Sequence, residues 1–140
     1  MKRIKARLRP SYQVGAVLDA PGYWQSTGID PQFIMTDGER DAAFAKGHYY
    51  IEIENSDHLD GFLNPVFYFD DGKGFRSESK INLVFQPLKP NWFRAYFVLS
   101  QDVVALRFDP SELNALFHIA SVRFARLSRM EWYASSANLV

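Results

Sequence analysis

The groups able to carry chemistry are sixteen carboxylates, three histidines and the hydroxyls, because this 140-residue sequence contains no cysteine. Nucleophilic catalysis would need a serine within reach of a histidine that a carboxylate holds in place. The sequence has no G-x-S-x-G elbow, and His48, His58 and His118 are scattered along it. His118 stands opposite Phe117 and Ile119 in a strand pattern, which predicts a solvent-facing side chain. Without cysteine there are no disulfides or thiolate metal sites, and no H-x-H pair offers a histidine site. P-loop and dinucleotide fingerprints are absent, so no cofactor is expected.

Two acidic clusters remain. Asp57, His58 and Asp60 share the loop N-S-D-H-L-D-G, and Asp70 and Asp71 precede Gly72-Lys73-Gly74. Each is either an oxygen-rich cation site or a polar turn whose Asp bonds its own backbone. Neither matches a full calcium loop, so turns without metal are expected. Glycoside hydrolysis would need two carboxylates facing each other across a cleft, and no such pair is legible. The chain is therefore expected not to be an enzyme.

Binding chemistry is better supplied. Twelve Phe, seven Tyr and three Trp make 16% of the chain aromatic. Sugar rings stack their C–H faces on such side chains and bond their hydroxyls to planar polar groups. Trp24, Asp30 and Gln32 place a ring, a carboxylate and an amide in one short, irregular segment, and Trp92 follows P-L-K-P-N at a strand entry. These four are the candidate carbohydrate-binding residues. Rings dominate β cores, however, and a satisfied plug in the core would hold the same groups at 24–32, which is the favoured reading there. Tyr23, Trp132 and Tyr133 are weaker candidates.

The elements that must position these residues are strands. Ile4, Ala6 and Leu8 alternate with Lys5, Arg7 and Arg9, predicting a first strand with a basic face; Val14–Leu18 is a second. Over His48–Asn55, Tyr49, Ile51 and Ile53 point one way and Tyr50, Glu52 and Glu54 the other, predicting one wet face. Val66–Asp70 and Ile81–Phe85 flank the Asp71–Gly74 turn; Trp92–Leu99, aromatic on both faces, suits a central strand. Val103–Asp109 follows, with Val104, Leu106 and Phe108 on one side. The run from Phe117 to Leu127 changes phase near Ala120-Ser121, which predicts a β-bulge. Helical signals are confined to Asp37–Lys46 and one turn at Ser111–Leu116. Together they predict an all-β sandwich or barrel with at most one or two short helical turns. Residues 1–140 are read as a single domain, its end over 135–140 frayed or continuing into a longer parent.

Sixteen basic residues balance the sixteen acids, so the net field gives no reason to expect nucleic acid. The opening Lys2, Arg3, Lys5, Arg7 and Arg9 is uniformly basic, and Arg123, Arg126 and Arg129 would extend it if the first and last strands are neighbours. Such a patch attracts phosphate or acidic sugars; protection of an edge strand explains it more simply. The charged start lacks the apolar stretch of a signal peptide, no apolar run could span a bilayer, and a cytoplasmic location is expected.

Five segments, taken in order, resemble a β-sandwich module found at the N-terminus of some bacterial glycosyltransferases of polysaccharide, O-antigen and rhamnan synthesis. Trp24-Gln25-Ser26-Thr27-Gly28-Ile29-Asp30-Pro31-Gln32-Phe33 resembles its W-x-S-T-G-x-D-P-x-F stretch, and Gly47-His48-Tyr49-Tyr50-Ile51 its G-x-Y strand. Phe67-Tyr68-Phe69-Asp70-Asp71-Gly72-Lys73-Gly74-Phe75 resembles its Y-x-D-x-G-x-G-F hairpin. Leu106-Arg107-Phe108-Asp109-Pro110 and Phe117-His118-Ile119 resemble its closing R-F-D-P and F-x-I. The resemblance implies an antiparallel, jelly-roll-like β-sandwich, and a non-catalytic, carbohydrate-binding-like accessory module whose partners are a glycan or a glycosyltransferase catalytic domain. It assigns no ligand residue. The alternatives are a structural docking or oligomerisation domain without a sugar ligand and, last, a small sugar-acting enzyme.

Overall fold

Period-two alternation along most of the chain gives thirteen strands in the computed structural model, which describes residues 1–137, with side chains through residue 135. In chain order they are β1 (Lys2–Ile4), β2 (Arg7–Tyr12), β3 (Val14–Ala16), β4 (Tyr23–Ser26), β5 (Gln32–Thr36), β6 (Gly47–Glu54) and β7 (Val66–Asp70). Then come β8 (Phe75–Asn82), β9 (Gln86–Lys89), β10 (Trp92–Leu99), β11 (Ala105–Asp109), β12 (Leu116–His118), β13 (Ser121–Leu127) and the helix α1 (Arg129–Ala137). One sheet has the order β1-β13-β6-β10-β9, the second β2-β5-β11-β7-β8, and a third, smaller one β12-β4-β3. All pairings are antiparallel. The chain repeatedly crosses between the two larger sheets, as at β1–β2, β5–β6 and β10–β11, so the fold is an all-β sandwich of jelly-roll-like topology.

The core lies between the inner faces. Tyr49, Ile51, Ala95, Phe97 and Phe124 from the first sheet meet Phe33, Met35, Phe67, Leu106 and Phe108 from the second. Phe67 spans the gap, its ring centroid 5.0 Å from Phe97 and 6.1 Å from Phe124. Such interdigitation of two inner faces is what holds a sandwich together.

The basic opening is two edge strands rather than one: β1 lines the first sheet and β2 the second. Charged side chains and Pro10 at these positions keep the edges from pairing with other chains. The first and last strands are indeed neighbours, with Arg3 opposite Ala125 and Lys2 opposite Arg126.

Several expectations are corrected. The phase change after Ile119 is not a bulge: β12 belongs to the small sheet and β13 to the first large one, so the chain changes sheets there. His118 is buried, not solvent-facing; its Nδ1 accepts a hydrogen bond from the Ser56 amide (3.0 Å) and its ring lies 4.6 Å from Tyr23. Pairing of β12 with β4 sets Tyr23 beside it, and Asn55 and Ser56 bond to its carbonyl and ring from the other side. Residues 37–46 form no helix. Asp37 accepts from the amides of Glu39 and Arg40 as an N-cap would, but Ala42 and Phe44 then pair with Met35 and Val103 and are buried. Burial of those two side chains outweighs local helix propensity. Residues 111–116 hold bends and the start of β12, not a helical turn. Tyr23–Ser26 is a strand rather than irregular chain, and Val104 is exposed.

The return strand of the 71–74 turn is earlier and longer than expected, starting at Phe75; Gly72 and Gly74 take φ of 110° and 81°, as that turn requires. Helix α1 opens with a reciprocal cap: the Ser128 hydroxyl accepts from the Glu131 amide and the Glu131 carboxylate from the Ser128 amide. Residues 135–137 are its last turn, and the expectation of fraying over 138–140 lies outside the described residues. No described helix is long and apolar enough to cross a membrane.

Candidate functional site

The four nominated residues do not converge. Trp24 is the core plug: its indole N–H donates to the Ile119 carbonyl (3.2 Å) and its ring meets Phe33 edge-on at 5.2 Å. Asp30 and Gln32 are joined, Gln32 Nε2 donating to Asp30 Oδ2 at 2.8 Å, where the chain enters β5 of the second sheet. Trp92 belongs to the other sheet, on its outer face.

That outer face is where groups for recognition assemble. β13, β6 and β10 are in exact cross-strand register, so outward residues form rows about 4.8 Å apart along each row. One row runs Arg123, Glu52, Arg94; the next runs Ala125, Tyr50, Tyr96, continued by Arg3 on β1; a third runs Ser121, Glu54, Trp92. Arg94 donates to Glu52 Oε2 from Nε (2.8 Å) and from a terminal nitrogen (2.6 Å), and to the Tyr96 hydroxyl (3.0 Å). Its guanidinium also lies 4.1 Å from the centre of the Tyr50 ring, and that of Arg123 lies 4.0 Å from Trp92. These are cation–π distances.

The face expected to be wet is thus partly closed: Glu52 is 3% and Tyr50 6% exposed. Trp132 of α1 covers one end, packing on Tyr96 and His48. Burial, with the Glu52 charge adding to it, holds the Tyr50 phenol above its ordinary pKa. Between this patch and β1 lies a cavity of about 250 Å³ bordered by Arg3, Lys5, Tyr50, Glu52 and Arg123. The sequence nominated Trp92 from this face as a sugar-binding residue, and Arg3, Lys5 and Arg123 only as parts of a basic patch explained more simply by edge protection. The alternation Trp92-x-Arg94-x-Tyr96 was available as a signal, but Glu52 and Arg123 join it only through strand register.

A second cluster occupies the outer face of the other sheet. Arg107 lies over Tyr68 (4.4 Å) and donates to both oxygens of Asp109 (2.8 and 2.9 Å). Burial pushes the Asp109 carboxyl up to about 6, against the pull of Arg107, and the nearby Asp30 carboxylate adds to the rise. A carboxyl whose folded pKa exceeds its unfolded value favours the folded state below about pH 4 and loses that contribution as pH rises through about 6. The contribution amounts to about 2–3 kcal/mol. Asp109→Asn is therefore expected to remove a fall in stability between pH 4 and 6.5, measured by urea unfolding. A wild-type-to-variant difference that stays constant across that window contradicts the assignment.

The acidic loops behave as turns. Asp70 Oδ1 accepts from the amides of Gly72 and Gly74, and Asn55 Oδ1 organises the other loop by accepting from Asp57 and Leu59. Asp57 itself takes the Tyr23 hydroxyl. No cluster of three or more metal-ligating side chains occurs among the described residues.

Comparison with known protein families finds no match, and comparison with curated proteins finds no relative. The likeness to the glycosyltransferase-associated module rests on the motifs quoted above.

Proposed function

We propose that this chain is a non-catalytic, cytoplasmic carbohydrate-recognition module that serves a bacterial glycosyltransferase in surface polysaccharide synthesis. The observation that carries the reading is the outer face of the first sheet. Trp92 and Tyr50, 9% and 6% exposed, form its floor beneath Arg123 and Arg94, and the half-buried Tyr96 and the Glu52 carboxylate stand beside them on a three-strand platform. Rings for C–H faces and planar hydrogen-bonding groups for hydroxyls are the inventory that sugar binding needs. Sites on paired strands also hold their geometry better than sites on loops. The ordered motifs supply the association with a glycosyltransferase. Against an acid–base role, Asp57 accepts from the Tyr23 hydroxyl and Asp70 from the Gly72 and Gly74 amides.

The test is a chemical-shift titration with short rhamnose- and mannose-containing oligosaccharides. Saturable shifts are expected at Trp92, Tyr96 and Arg94, with the Trp24 indole unmoved. An absence of shifts at millimolar ligand overturns the reading.

A docking domain is the second reading, and one observation favours it. Val84, Leu88 and Val98 are 70%, 41% and 42% exposed around the edge strand β9, beside a 220 Å³ cavity that also touches Tyr96. Shifts confined to those residues on adding a catalytic domain would support it.

A further inference from the structure

Resting on the sugar-binding reading of the first sheet's outer face, we infer that its ligand is an acidic saccharide, whose carboxylate or phosphate enters the cavity between Arg3, Lys5 and Arg123.

The chain as a whole is neutral, but its charges are sorted. Arg3, Lys5, Lys89, Arg94 and Arg123 stand in or beside these rows, against Glu52 and Glu54. Arg94 already neutralises Glu52 at 2.6 Å. Arg3, Lys5 and Arg123 make no ion pair among the described residues, and all three border the same 250 Å³ cavity. Edge protection accounts for Arg3, which lies on β1. Arg123 lies just past the last β1–β13 pair, Ile4–Phe124, where that side of β13 is uncovered and the cavity opens; what singles it out from an edge charge is its packing on Trp92.

The stacking of Arg123 on Trp92 is informative. Its guanidinium stands opposite Glu52 in register yet packs on the indole instead of pairing with that carboxylate. The Arg123 guanidinium makes no hydrogen bond or ion pair among the described residues, which leaves its N–H groups for an acceptor, and two parallel N–H groups fit carboxylate or phosphate oxygens. Trp92 and Tyr50, 9% and 6% exposed, lie beneath the Arg123 and Arg94 guanidiniums, so the cations rather than the ring faces meet the ligand. A neutral glycan would leave three unneutralised cations without a role.

The experiment compares four probes by calorimetric titration of the whole chain: an oligogalacturonate, mannose 1-phosphate, a neutral mannotriose and inorganic phosphate. The first two are expected to bind at least tenfold more tightly than mannotriose at 50 mM salt and to weaken several-fold at 300 mM, as screening of exposed charges requires. Whichever of them binds more tightly identifies the anion. Arg123→Ala and Arg3→Ala, at exposed positions, are each expected to weaken that binding at least fivefold without moving the unfolding midpoint. Arg40→Ala, on a distant exposed turn, leaves it unchanged. Equal affinity for mannotriose overturns the acidic ligand and leaves the sugar-binding reading standing. Inorganic phosphate binding as tightly as mannose 1-phosphate overturns the saccharide part. Binding of none of the four overturns both.

Discussion

Replacing Phe67 by alanine is expected to cost about 3–5 kcal/mol of folding stability. The side chain is fully buried, and its ring lies within 5.0–6.1 Å of Phe97, Phe108 and Phe124, two of which belong to the opposite sheet. Truncation therefore removes transfer free energy and opens a cavity where the two sheets meet. Flanking strands cannot close that gap without breaking the β6–β10 and β7–β11 registers. The penalty thus includes the void as well as the lost burial. Domains of this size hold only about 5–15 kcal/mol in total, so the variant approaches the limit of folding. Phe67→Leu refills most of the space and is expected to cost about a third as much. Urea unfolding read by tryptophan fluorescence checks both; a loss under about 1 kcal/mol for the alanine variant would show that the sandwich closes around the gap.

The strands that alternate visibly were legible in the sequence. Val66–Asp70 and Trp92–Leu99 have the expected bounds, and the inward set Tyr49, Ile51, Ile53 is the core set. The strands that were missed lack alternation for a physical reason. In β5 both faces are closed: Ile34 and Thr36 are 8% and 6% exposed although they point away from the core. A strand buried on both sides reads as a short apolar run, indistinguishable from other buried segments. The 37–46 segment shows the opposite failure. Asp37 makes the capping bonds that its sequence suggests, and the burial of Phe44 still draws the chain back into extended pairing.

The candidate site was legible only in part. Trp92 was visible as a ring at a strand entry. Its neighbours Arg123 and Glu52 come from β13 and β6, and nothing short of the β6–β10 and β6–β13 registers brings residues 52, 94 and 123 into one row. Helix α1 was missed although Ser128-Arg129-Met130-Glu131 holds a capping-box spacing, and it matters here because its Trp132 closes one end of the face.

Glu52→Ala is the second large effect, an expected loss of about 3–4 kcal/mol, because removing one partner of a buried ion pair strands the other. Glu52 and Arg94 have side chains 4% and 26% exposed, and Arg94 is fixed by the Tyr96 hydroxyl and the Tyr50 ring, so it can swing only partly into water. The cost is in the stranded guanidinium rather than in the pair itself. Glu52→Leu combined with Arg94→Met should therefore recover most of what Glu52→Ala loses, and the non-additivity measures the coupling. If the double variant is as unstable as Glu52→Ala, the deficit lies in packing under Tyr50 and not in the charge. Glu52→Gln separates stability from binding. It keeps the shape and an acceptor oxygen for Arg94, so its cost should be smaller, about 1–2 kcal/mol. It also removes the one carboxylate bordering the Arg3–Lys5–Arg123 cavity. Affinity for an acidic sugar should then rise while affinity for a neutral one stays level, a pattern that general loosening of the sheet would not produce.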